Sequence, residues 1–268
     1  MNSKLNHLAI VSDNYTRLAM FYRALFGMRV SGDTKRETLA MSVGDGYVGM
    51  TLIPRPPGRY AGLDHFGIEV DDLERIKTAI RKKFPDIEIV KRPGNRPFAS
   101  YSAHDPAGNY FDLSQKGHEN RAEIYEHKNW SQNRFINHFA IRARDHKLLA
   151  AFYSEIFGFA VTNADGKDAG IYLSDGRVTL CLLPWKISLF NGGGVEQPGM
   201  DHIGFCVESI DQLIEEIAII AQTNPQIAAR SINYNDEAKM RRELLETCPH
   251  GSFQLADPDG TLIDVIQR

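Results

Sequence analysis

The sequence predicts an α+β protein made of four repeated units, each a strand, a helix and three further strands. Three observations predict it. Five sequence blocks recur in the same order in the two halves of the 268-residue chain. Each unit opens on a short apolar run headed by His and continues into a helical stripe. The helices do not alternate with single strands, which excludes a doubly wound nucleotide-binding fold.

The repeated blocks are direct. "LNHLAI" (5–10) matches "INHFAI" (136–141), and "FYRALFGMRV" (21–30) matches "FYSEIFGFAV" (152–161). "GDGYVGMTLIP" (44–54) matches "SDGRVTLCLLP" (174–184), "DHFGIEV" (64–70) matches "DHIGFCV" (201–207), and "DPAGNYFDL" (105–113) matches "DPDGTLIDV" (257–265). The offset is 131 at His7/His138, 137 at His65/His202 and 152 at Asp112/Asp264. The added length of the second half therefore lies mainly in 208–256. The reading gives a first domain at 1–116, a polar linker at 117–134 and a second domain at 135–268 with its insertion within 208–256.

The first helix of each half carries Leu18, Phe21 and Leu25, or Leu149, Phe152 and Ile156, at core spacing. Gly27 and Gly158 are placed to end these helices in the left-handed conformation. Asp71 with Glu74 and Ser209 with Gln212 have capping-box spacing before the other two helices. Leu73, Ile76 and Ile80 form one buried stripe, and Leu213, Ile217 and Ile220 the other. "NGGG" (191–194) lacks dinucleotide-binding spacing and reads as a loop that could cover a site.

Composition narrows the function classes. Hydrophobic content is 43%, charged content 24% and net charge −3, so no global field draws nucleic acid or an anionic membrane. The cluster "KMRREL" (239–244) reads as a solvated helix face. No run reaches membrane-span length, and the N-terminus lacks a signal-peptide core. Three widely spaced cysteines do not make a disulfide framework, so a cytoplasmic, reducing setting is expected.

The chemistry lies in six polar residues that duplicate inside apolar strands. They are His7, His65 and Asp112, repeated as His138, His202 and Asp264. A single such His is usually a hydrogen-bonded structural residue, and an Asp after a turn often only caps backbone. Six polar residues kept together inside apolar strands are harder to explain that way, because burying polar groups without partners is costly. Two imidazoles and one carboxylate make a facial triad for a divalent metal with open positions. Tyr101, His104 and His250 are candidate acid/base or hydrogen-bonding groups. Arg92 and Arg96 are candidates to hold an anionic group. Trp185, Tyr172, Phe253 and Phe190 are candidates for an apolar wall.

The blocks "NHLAI", "FYRALFG", "DHFGIEV" and "DPAGNYFDL", with their counterparts, resemble the vicinal oxygen chelate superfamily. That superfamily includes glyoxalase I, bleomycin-resistance proteins, methylmalonyl-CoA epimerase and extradiol dioxygenases. The resemblance covers nearly the whole chain outside the linker and the 230–250 insertion. It implies four βαβββ units forming two tandem domains with cupped mixed sheets around metal, the layout of two-domain extradiol dioxygenases. Glyoxalase and epimerase relatives carry a fourth ligand, Glu or Gln, where this chain has Thr51 and Cys181. Thr51 is read as lining the cavity, and Cys181 as a small buried residue in preference to a thiolate ligand for zinc. A three-ligand site favours oxygen chemistry. Three departures weigh the other way: the third ligand is Asp where extradiol enzymes carry Glu, Ser102 and Gln254 stand where those enzymes carry Tyr, and both triads survive where two-domain extradiol enzymes keep metal only in the second half.

The expectation is a metal-dependent dioxygenase of a catecholic or vicinal-dioxygen small molecule. Fe(II) is the first choice of metal, with Mn(II) or Zn(II) as alternatives. His138, His202 and Asp264 are the preferred reaction centre, because the insertion can build a cover over them. Substrate and O2 are the implied partners, without nucleic acid or membrane and with homo-oligomerisation left open. The alternatives are a redox-neutral lyase, isomerase or epimerase, and a protein that sequesters a small molecule.

Overall fold

The computed structural model describes residues 3–31, 40–94, 98–117, 133–162, 170–189, 195, 197–232, 236–246, 248 and 250–268. The first half runs β1 (Lys4–Ser12), α1 (Tyr15–Phe26), β2 (Arg29–Ser31), β3 (Met41–Gly44), β4 (Gly49–Pro54), β5 (Gly62–Val70), α2 (Leu73–Lys83), β6 (Val90–Lys91), β7 (Tyr101–His104) and β8 (Tyr110–Gln115). The second runs β9 (Phe135–Ala143), α3 (His146–Phe157), β10 (Ala160–Thr162), β11 (Ile171–Ser174), β12 (Thr179–Pro184), β13 (Gly199–Val207), α4 (Ile210–Thr223), α5 (Asp236–Glu246), β14 (Phe253–Ala256) and β15 (Leu262–Gln267).

Each half is one mixed sheet. The strand orders are β2-β3-β4-β1-β5-β8-β7-β6 and β10-β11-β12-β9-β13-β15-β14. The first three units follow the expected strand–helix–three-strand pattern. The fourth departs from it among the described residues: a single bridge, Arg230 to Ala256, stands where its first small strand is expected, and α5 occupies the insertion. The predicted linker and the "NGGG" loop fall outside the described residues for 118–132 and 190–194. Arg134, at the end of that linker, is buried and binds Glu208, Glu216 and the Leu25 carbonyl.

The helix signals resolve locally. Gly27 (φ 63°) and Gly158 (φ 75°) end α1 and α3 in the left-handed region. Ser209 caps α4 through the Gln212 N–H. The α2 cap is Asp72 rather than Asp71: the helix starts at Leu73, and the Asp72 carboxylate accepts the Arg75 N–H at 3.0 Å.

One apolar core serves both halves. Phe26 of α1 stacks on Phe205 of β13 at 3.9 Å. Tyr153 and Phe157 of α3 pack against Phe111 of β8 at 6.4 and 5.8 Å. Thus each half's first helix covers strands of the other half. Two buried carboxylates lock this exchange. Asp257 accepts the Tyr22 hydroxyl (3.0 Å), and Asp105 accepts the Tyr153 hydroxyl (2.8 Å). The same carboxylates also accept backbone N–H groups of their own turns, at Ala107 and Asn109 and at Asp259, Gly260 and Thr261. Among the described residues no helix is long and apolar enough to cross a membrane.

Asp257→Ala should therefore lower stability by about 3 kcal/mol, because it strands a buried hydroxyl and turn amides together. Tyr22→Phe should cost less, roughly 1–2 kcal/mol, since only one donor is lost. Denaturant unfolding of both variants checks this, and equal effects would contradict the shared role assigned to Asp257.

Candidate metal centres

The strands deliver both predicted triads, and a repeated backbone irregularity does the aiming. Within the β1–β5 pair, Asn6 and Asp64 are skipped in the register; within β9–β13, Asn137 and Asp201 are skipped. Each is a β-bulge residue directly before a His. A bulge resets the alternation, so the residue and the following His share one face of the sheet. The apolar neighbours stay on the core side, as in Leu5/Leu8 and Ile136/Phe139.

The consequence is the same hydrogen bond four times. His7 Nδ1 lies 3.0 Å from Asn6 Oδ1, His138 Nδ1 3.0 Å from Asn137 Oδ1, His65 Nδ1 2.6 Å from Asp64 Oδ2, and His202 Nδ1 2.8 Å from Asp201 Oδ2. Those oxygens can only accept, so every Nδ1 carries its proton and every Nε2 faces the cluster. The carboxylates are oriented across the adjacent strand. Ser102 donates to Asp112 (2.5 Å) and Gln254 to Asp264 (3.1 Å), each from the directly opposed position. Ser102 and Gln254 thus hold the third carboxylate of each cluster.

Close packing enforces the geometry. A Cβ on Gly67 would lie 2.0 Å from His7 Cε1, and one on Gly204 would lie 1.9 Å from His138 Cε1. Only glycine leaves room for these rings.

The two clusters differ in donors and access. His7, His65 and Asp112 offer ligand atoms within 4.8 Å of one another. In this cluster Asp112 Oδ2 is 3.3 Å from His65 Nε2 and 3.6 Å from His7 Nε2, and the His65 side chain is 12% exposed. In the second half His138, His202 and Asp264 are joined by Cys248, again within 4.8 Å, and all four are buried. The sequence reading missed Cys248; it lies two residues from His250, which the reading does single out. The spacing apolar–Asn/Asp–His–apolar, which breaks a strand's period of two, is the signal that could have revealed the bulges.

Electrostatics follow from these contacts. Burial disfavours charge on His65, but its bonds to Asp112 and Asp64 outweigh that and raise its pKa to about 9. His202 rises to about 9 as well: burial opposes it, and Asp201 and Cys248 prevail. Burial works against the Asp112 carboxylate, yet His65 and His7 hold it well below the usual range. The Cys248 thiol is pulled far down by Cys181, against burial, with help from His138 and His202. Asp201 is anchored in turn by Arg142 Nε (2.9 Å) and Arg241 Nη2 (2.6 Å).

The remaining candidates scatter. The His250 ring sits 5.1 Å from that of His138 and 5.1 Å from that of Tyr172. Phe98 holds the equivalent place in the first half, stacked on His7 at 4.8 Å. Tyr101 packs with the core beneath Lys77 of α2, on the opposite face from Asp112. His104 sits at the end of β7 opposite Tyr110, with Nδ1 donating to the Asp105 carbonyl. Tyr110, which the sequence reading passed over, is 40% exposed and edge-on to His65 at 5.5 Å. Arg92 is half-buried and its backbone bonds Ser100; Arg96 and Phe190 lie outside the described residues. Trp185 is buried, with its indole N–H on the Val195 carbonyl. Thr51 and Cys181 lie on β4 and β12, outside both donor groups.

The donors fit divalent cations: paired Nε2 atoms meet a carboxylate oxygen in each half, and in the second His138 Nε2, His202 Nε2 and Asp264 Oδ2 are buried without a hydrogen bond among the described residues. Two outcomes are expected. Asp201→Asn should weaken metal binding in the second half about 10–100-fold, because the amide cannot hold His202 against Arg142 and Arg241 as the carboxylate does. Metal uptake should release protons. Below pH 9 His65 and His202 are protonated in the metal-free protein, so affinity should fall with decreasing pH, by up to about tenfold per unit for each imidazole. Calorimetry in buffers of different ionisation heat tests both; pH-independent affinity between 6 and 9 would contradict the second.

Comparison with known proteins agrees with this architecture. The sequence pattern of the Glyoxalase/Bleomycin resistance protein/Dioxygenase superfamily matches residues 4–113 and again 135–265. No curated protein matches the chain. Similar solved structures include the Mn(II)-bound glyoxalase from Novosphingobium aromaticivorans, at 12% identity and TM-score 0.66, covering 98% of this chain and 81% of that one. The 2,3-dioxygenase LapB from Pseudomonas sp. KL28 is 16% identical with TM-score 0.65, covering 99% and 92%. The 2,2',3-trihydroxybiphenyl 1,2-dioxygenase from Sphingomonas wittichii strain RW1 is 15% identical with TM-score 0.63, covering 100% and 91%. At these identities the structures establish the shared fold, and the twice-repeated sequence match makes the chain a member of the Glyoxalase/Bleomycin resistance protein/Dioxygenase superfamily.

Proposed function

We propose that the protein is a metal-dependent enzyme of the extradiol dioxygenase type. Its substrate is a small molecule that chelates through two neighbouring oxygens, such as a catechol. The observation that carries this reading is the convergence of His7, His65 and Asp112 as three donors, with the His65 side chain 12% exposed where the second cluster is sealed. A divalent cation held there, Fe(II) for the oxygen-dependent reaction, would keep positions for substrate and O2 and offset charge developing on substrate oxygen.

The sequence favours the second half for catalysis on the strength of its insertion. Access and donor number favour the first. Its cluster has three donors rather than four, and solvent reaches His65 and Asp112. The surrounding residues have defined tasks in this reading. Asn6 and Asp64 keep the imidazole lone pairs turned inward, and Ser102 fixes the Asp112 carboxylate. Phe98 supplies an apolar wall against His7. Tyr110, 40% exposed and edge-on to His65, would hydrogen-bond a substrate oxygen in this reading.

A second reading is a redox-neutral lyase, isomerase or epimerase. It is favoured by Ser102, whose hydroxyl is engaged with Asp112 at the position where ring-cleaving relatives have a Tyr.

Anaerobic loading with Fe(II), followed by a catechol panel with and without O2, separates the two: oxygen consumption matched to ring cleavage is expected. Turnover that needs no oxygen would select the second reading. Binding without turnover under every metal condition would make the protein a sequestering one. His65→Ala should lower turnover at least about 100-fold, whereas His202→Ala should leave most of the activity of the folded fraction. The reverse pattern would move the reaction centre to the second half.

A further inference from the structure

We infer that His138, His202, Asp264 and Cys248 form a closed four-ligand site for a thiophilic divalent cation of the Zn(II) class, which ties the inserted helix to the second sheet. The inference rests on reading the clusters as metal centres but not on the reaction proposed for the first half.

The four donors converge in a place that solvent does not reach. The side chains of His138 and Asp264 are 0% exposed, as is that of His202, and Cys248 is 1% exposed. Three of their polar atoms lack a hydrogen-bond partner among the described residues. His138 Nε2 and Asp264 Oδ2 face each other at 3.3 Å without forming a hydrogen bond, and a cation between the converging donors would satisfy all three. A cavity of about 290 Å³ does lie nearby, lined by residues including Tyr60, Arg142, Asp201 and Arg241, but none of the four donors lines it.

Charge and softness then name the partner. One thiolate, one carboxylate and two neutral imidazoles around a dication sum to zero, which suits a dry interior. In this sealed position four protein ligands would saturate a tetrahedral ion and leave no open position for substrate, which suits a structural site. A thiolate donor turns preference away from hard, oxygen-preferring ions and toward zinc.

The fourth donor comes from the insertion itself, in the segment that follows its helix. Cys248 stands just past α5, with its N–H on the Leu245 carbonyl. The same helix reaches the cluster again through Arg241, which binds Asp201, the partner of His202. Gly251 then passes so close to Asp264 that a Cβ there would lie 1.8 Å from its Oδ1. In the first half the position equivalent to His250 is Phe98, and no cysteine belongs to the donor group.

Full-length metal-free protein loaded with Co(II) tests this without any turnover assay. Two ions per chain are expected, one of them giving the intense near-ultraviolet band of a thiolate–cobalt bond. Cys248→Ser should abolish that band and weaken Zn(II) binding at this site at least about 100-fold, while Cys181→Ser should retain both. Should Cys248→Ser fail to fold, zinc X-ray absorption on His65→Ala, which retains all four donors of the second cluster, decides the matter. One sulfur at about 2.3 Å with three nitrogen or oxygen ligands is expected. A shell with no sulfur, or a thiolate band that depends on Cys181 instead of Cys248, would overturn the assignment. Because these readouts concern binding alone, loss of the ring-cleavage reading would leave them unaffected.

Discussion

Four β-bulges carry the design of this protein. A strand with one face on a core must alternate apolar and polar side chains, and that alternation would send an Asn or Asp and the following His to opposite faces. The extra residue at Asn6, Asp64, Asn137 and Asp201 puts each pair on the same side while returning the next apolar residue to the core. The acceptor oxygen then fixes the ring tautomer, and the central strands bring two such rings together in each half. Gly67 and Gly204 complete the device by leaving ring-sized space on the neighbouring strand.

The third candidate donor depends on a longer chain of contacts. Asp112 and Asp264 each lie seven residues after a buried aspartate, Asp105 or Asp257. That earlier carboxylate shapes the turn feeding the ligand strand and also receives a tyrosine from the other half's helix. The position of each candidate donor carboxylate is therefore coupled to packing between the halves. The single core has the same effect on a larger scale: neither half buries its helix-facing strands alone, so the duplication is structural as well as historical.

On this common scaffold the halves have diverged where segments pass over the open face. The first half presents Phe98 and the exposed Tyr110 beside its histidines. The second presents Cys248, His250 and the α5 helix, and its cluster is sealed. Inherited donors with different covers produce different donor numbers and different access, and both properties decide what an ion can do.

The sequence alone determined the duplication, the order of strands and helices in the first three units, the left-handed glycines that end α1 and α3, and the six repeated polar residues that converge in the strands. These were legible because each depends on local period, local turn chemistry or direct comparison of the two halves. Tertiary structure alone decided the rest. Cys248 reaches the second cluster from a segment with no counterpart cysteine, so neither repeat nor spacing pointed to it. Asp72 displaces Asp71 as a cap by one residue of helix start, and the fourth unit gives up a strand to a single bridge beside the insertion. Tyr101 and Ser102 are adjacent in sequence, yet pleating sends one to the core and the other to Asp112. Which helix covers which sheet could not be read from an apolar stripe, because a stripe records that a face is buried and not which surface buries it.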